Sequence, residues 1–73
     1  MAFTIHAENV QPGMLIDFGG ALAQTPRGDF IHVDSGEVLR IDFGKHLIVE
    51  PVGASLMEVS VDIEPDKVFS ILG

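Results

Sequence analysis

Cysteine, tryptophan and tyrosine are absent from this 73-residue chain, and lysine and arginine together number only four. Without thiols there can be no disulfide, no thiolate metal site and no thiol nucleophile. Without tryptophan or tyrosine an aromatic groove for proline-rich peptides is not expected. The five phenylalanines, Phe3, Phe18, Phe30, Phe43 and Phe69, are expected to pack a core instead. Four basic residues against eleven acidic ones leave a formal charge of −7. That balance repels a phosphate backbone, so nucleic-acid binding is not expected. No apolar run approaches the ~20 residues that span a bilayer, and Met1 to Ala7 has no basic, signal-like start. The reading is one cytoplasmic domain over residues 1–73, with no membrane contact and no cofactor.

What is present is hydrophobic side chains, 47% of the residues, enough to drive folding despite the charge. They fall in short segments punctuated by glycine and proline. Strands are predicted over residues 3–6, 14–18, 30–33, 38–43, 46–50, 57–63 and 68–72. Pro12-Gly13 suits a tight turn, Gly19-Gly20 ends the second strand, and residues 21–24 stay ambiguous. Thr25 to Asp29 form a turn, and Asp34-Ser35-Gly36-Glu37 reads as a hairpin loop. Pro51 discourages further central pairing. In 38–43 a period of two puts Leu39, Ile41 and Phe43 on one face and Val38, Arg40 and Asp42 on the other. In 57–63 it sends Met57, Val59, Val61 and Ile63 inward and Glu58, Ser60 and Asp62 to solvent. Residues 64–67 form a single turn; a helix competes with a strand for the residues after Pro65 but would be very short. Short strands at this spacing predict an all-β fold, a small barrel of five or six strands or a compact sandwich.

The chemical motifs are weak. Ile16-Asp17-Phe18-Gly19 recurs as Ile41-Asp42-Phe43-Gly44 and reads as two strand ends closing on glycine. The kinase meaning of Asp-Phe-Gly requires a glycine-rich loop, a strand lysine and a catalytic loop that are not here. Arg27-Gly28-Asp29 matches an integrin-binding tripeptide but sits in an ordinary turn. His6, His32 and His46 have no metal-ligand spacing. None of Thr4, Thr25, Ser35, Ser55, Ser60 and Ser70 lies in a nucleophile elbow. Asp17, Asp42, Glu58 and Asp62 alternate with apolar residues, which points them to solvent rather than into an acid–base pair. An enzyme is not expected.

Val10-Gln11-Pro12-Gly13-Met14-Leu15-Ile16 near the start and Ile63 to Ile71 near the end give a layout that resembles SH3-like small barrels. In those, an early turn leads into the first long strand and a 3₁₀ turn precedes the last. The chain also looks like the short, acidic, β-rich accessory proteins of actinobacterial phages. The resemblance implies a non-catalytic protein-interaction or assembly module. An acidic inhibitor that imitates nucleic acid and blocks a basic groove is the alternative, and a small-ligand barrel ranks behind both. Val, Ile, Leu, Met and Phe number 29 in total, whereas a barrel this small encloses roughly 15 to 20 large side chains. Strands apolar on both faces are therefore expected to meet a second copy or another protein, with Leu15, Phe30, Val38 and Ile48 as the expected interface.

Overall fold

The computed structural model describes residues 3–42, 46–54, 57–62, 64 and 66–73. Among these the chain forms six antiparallel strands: β1 (Phe3–His6), β2 (Leu15–Gln24), β3 (Phe30–Asp42), β4 (His46–Pro51), β5 (Val59–Asp62) and β6 (Val68–Ile71). One 3₁₀ turn, Ala7–Asn9, follows β1 and was not expected. It buries Ala7, whose N–H donates to the Lys67 carbonyl at 2.8 Å. The expected Pro12-Gly13 turn is present, closed by Met14 N–H on the Gln11 carbonyl, with Gly13 at φ 92° where a side chain would be strained. Before β6, Lys67 N–H donates to the Glu64 carbonyl at 3.0 Å, as a single turn there requires.

The strand order is β1-β6-β2-β3-β4-β5, and β5 returns to pair with β2 at Ala23 and Gln24. That last pairing closes β2, β3, β4 and β5 on themselves, so the all-β fold is a barrel-like sheet with β1 and β6 as a side arm. β6 joins at Ile16 and Asp17. The interior holds Ile16, Phe18, Ala23, Val33, Val38, Leu47, Val49, Val59, Val61 and Phe69, with Ala7 and Val10 beside them. Phe18 and Phe69 meet edge to face with ring centres 5.1 Å apart, tying the arm to the barrel.

Several local expectations are corrected. Asp34-Ser35-Gly36-Glu37 is not a hairpin loop: β3 runs unbroken through it, paired with β2 on one side and β4 on the other. Gly36 is there for closeness. A Cβ on it would collide with Val49 Cγ1 and stand 2.8 Å from the Glu50 carbonyl oxygen. Gly19-Gly20 does not end β2 but forms a bulge within it, at φ 62° and 80°, and residues 21–24 continue the strand. Ile16 to Gly19 is therefore mid-strand, while Phe43 and Gly44 lie outside the described residues. In β3 the register shifts between Val38 and Arg40, leaving Leu39 as the extra residue. The bulge reverses the alternation, so Val38 opposite Val49 and Ile41 opposite Leu47 both face inward. In β5 Val59 and Val61 are buried as expected, but Met57 precedes the strand and is 39% exposed; Ile63 lies outside the described residues.

Candidate functional site

The surface that departs most from the rest of this acidic molecule is the outer face of the β2–β3 hairpin. Its register pairs Leu22 with His32 and Gln24 with Phe30, and alternation turns these four outward while Ala21, Ala23, Ile31 and Val33 turn in. Leu22 is 54% exposed and Phe30 65%. They are diagonal neighbours on one face, so they form a continuous apolar step rather than scattered residues. None of the four carries a full charge, in a chain with eleven acidic side chains.

Both ends of the face are held rigidly. At the tip, Thr25 N–H donates to the Asp29 carbonyl at 2.8 Å, Gly28 N–H to the Thr25 carbonyl at 2.9 Å, and Asp29 N–H to Thr25 Oγ1 at 3.1 Å. Gly28 at φ 93° completes the turn and leaves Arg27 exposed at its apex. At the other end His32 Nδ1 lies 3.0 Å from the Gly20 carbonyl. A carbonyl only accepts, so Nδ1 carries the proton there. Asp17 Oδ1 accepts Gly19 N–H at 2.9 Å, fixing the bulge from the opposite side.

A groove of about 370 Å³ runs along the hairpin, between Leu22, Gln24 and Phe30 on one wall and His46, Asp62, Glu64 and Lys67 on the other. It exists because one edge of β2 takes β6 at Asp17 and β5 at Ala23, and the two partners diverge between. His46 Nδ1 is buried and stands 2.7 Å from Asp62 Oδ1 without hydrogen-bond alignment. A smaller groove on the far side of β5 is lined by Pro26, Ile48 and the pair Arg40 and Glu58. Glu58 hydrogen-bonds the Arg40 guanidinium and, by that bond first and its charge second, raises its pKa above the ordinary value.

Of the expected interface residues, only Phe30 stands fully exposed. Leu15 is half-buried beside Glu37. Val38 is wholly inside the barrel, because the bulge at Leu39 turns it there. Ile48 points away from Leu47 and Val49, yet it too is buried, beside Pro26 and the Arg40–Glu58 pair. Val38 thus presents nothing to the surface, and Ile48 only the edge it shows to that smaller groove. Leu22 was missed because it lies in the segment left ambiguous after the two glycines. His32 and His46 have separate neighbours, and among the described residues no three histidine or carboxylate groups come within metal-holding range. Also among the described residues, no helix is long and apolar enough to cross a membrane.

Comparison of the chain with protein families, with curated proteins and with solved structures finds no match.

Proposed function

We propose that the protein is a non-catalytic protein-interaction module that docks through the outer face of the β2–β3 hairpin. The observation that carries this reading is that exposed Leu22 and exposed Phe30 are diagonal neighbours on one face of the hairpin, in a chain of net charge −7. Large apolar groups gathered on a rigid surface are the usual centre of an interface, and depletion of charge there is its compositional mark. A structural or accessory part in a phage-like assembly is a setting that suits such a module. A photo-reactive amino acid at position 30 tests the reading, with position 52 as the control because Val52 is also 65% exposed. Cross-links to protein at 30 that Leu22→Asp abolishes, and none at 52, are expected. Equal cross-linking at both positions, or none, would refute it.

A second reading, the acidic mimic, draws on Glu37 standing directly across from Glu50, with Asp17 and Asp34 exposed nearby. Like charges opposite each other in a ladder cost stability, which favours a use for them. Salt-titrated binding to basic proteins separates the two: affinity for the mimic falls steeply with salt, whereas docking on Leu22 and Phe30 changes little.

A further inference from the structure

We infer that the outer edge of β1 is a strand-pairing site, and that its occupant is β1 of a second copy, running antiparallel about a two-fold axis at Ile5. The strand order supplies the edge. β5 closes onto β2, whereas β1 has β6 on one side and, among the described residues, no strand on the other. Two hydrogen bonds show which of its main-chain groups are open. Leu72, just after β6, donates its N–H to the Leu15 carbonyl at 2.7 Å and so points at β2. By alternation Ile71 and Phe69 point the other way, at their partners Phe3 and Ile5. Ala7 N–H on the Lys67 carbonyl at 2.8 Å continues the same phase. Phe3 and Ile5 therefore direct their N–H and C=O groups to β6, and Thr4 and His6 turn theirs outward. Both are exposed, and among the described residues no turn, loop or side-chain hydrogen bond ends on either.

An open row of N–H and C=O groups is matched by the same row on another extended strand. Sheet edges are usually guarded by lysine, proline or a bulge. β1 is short but has none of these, and its register with β6 is unbroken from Phe3–Ile71 to His6–Val68. It also carries no carboxylate, so two molecules of net charge −7 can meet there without aligning like charges. Glu8, the next carboxylate along the chain, lies beyond the strand in the 3₁₀ turn. Spacing selects the second copy. The open residues flank Ile5, so a two-fold there sets Thr4 of each copy against His6 of the other, and every outward N–H meets a C=O. The same axis sets Ile5 against Ile5 and makes Phe3 the diagonal neighbour of the other copy's Ile5. Ile5 packs against the core, yet Phe3 on the same face is 65% exposed. The pairing covers an apolar side chain that one copy leaves in solvent.

Sedimentation equilibrium and amide hydrogen exchange of the purified chain, from micromolar to millimolar concentration, test the inference. The mass is expected to rise with concentration toward twice the 7.8 kDa of one chain. Added salt is expected to favour the dimer, since it screens the repulsion of two −7 molecules and no ion pair crosses the edge. Exchange at the Thr4 and His6 amides should slow as the dimer forms, whereas Ile5, already bonded to β6, should change less. Thr4→Pro removes an outward N–H and no bond to β6, so it should weaken the dimer about tenfold or more while the monomer keeps its urea midpoint. Thr4→Ala keeps the N–H and should dimerise like the parent. The exchange measurement uses the unaltered chain and does not depend on the proline variant folding. A parent that stays monomeric, or a dimer in which the Thr4 and His6 amides exchange as they do in the monomer, would overturn the inference. So would a dimer that Thr4→Pro leaves intact, or a monomeric parent whose edge takes a strand of another protein.

Discussion

At the scale of single residues, glycine serves three physical ends in this chain. At position 13 it supplies a backbone angle, at 19 and 20 a bulge, and at 36 an absence of atoms. Gly36 has an ordinary φ, so its requirement is purely steric: β4 lies against it at Val49, Glu50 and Pro51. Gly36→Ala should therefore force β3 and β4 apart and cost about 1–3 kcal/mol, whereas Ser35→Ala, on the outer face, should change little. Urea denaturation checks this; equal midpoints for the two variants would show that the sheets have more room than the contacts allow. Gly36 is also where reading from the sequence went astray. Asp-Ser-Gly-Glu has the composition of a turn, but both of its ladder edges are occupied, and neighbouring strands outweigh local preference.

Between residues and whole fold stand the strands, and what was legible in them depended on unbroken alternation. β1 matches its predicted bounds and β4 and β6 agree within one residue, because each is a short run between clear turn signals. Val59 and Val61 were readable for the same reason. A period of two fails at a bulge, which is how Val38 came to be expected on the outside. It also fails where a strand starts late, which is how Met57 came to be expected inside. β5 allows a sharp comparison. Val61→Asp should lose on the order of 3–5 kcal/mol, an unpaired charge in the barrel interior, while Met57→Asp should stay within about 0.5 kcal/mol of the parent. Chemical denaturation of the two variants measures it, and comparable losses would place Met57 in the core after all. The candidate face was only half legible: Phe30 was visible as an apolar strand residue, but Leu22 becomes its neighbour only once β2 is known to continue past its glycines.

On the scale of the whole molecule, charge and the barrel's limited interior act together. Eleven acidic residues are spread along the chain, and the bases among the described residues fall on separate segments. Arg27 sits at the hairpin tip, Arg40 is engaged by Glu58 and Asp42, and Lys67 follows the turn before β6. With four bases against eleven acidic residues, random duplex DNA should bind negligibly at physiological salt. A fluorescence anisotropy titration tests that, and submicromolar, salt-sensitive binding would contradict it. The core that this sheet encloses is small, and association would add burial that a short chain otherwise lacks.

The account's central claim is that the molecule meets a protein partner through the outer face that carries Leu22 and Phe30. Photo-cross-linking from position 30, with position 52 as the control, tests it most directly, since Phe30 and Val52 are equally exposed and lie on different parts of the fold. The account predicts protein adducts at 30 that Leu22→Asp removes, and none at 52. Equal adducts at both positions, or none at either, would contradict it.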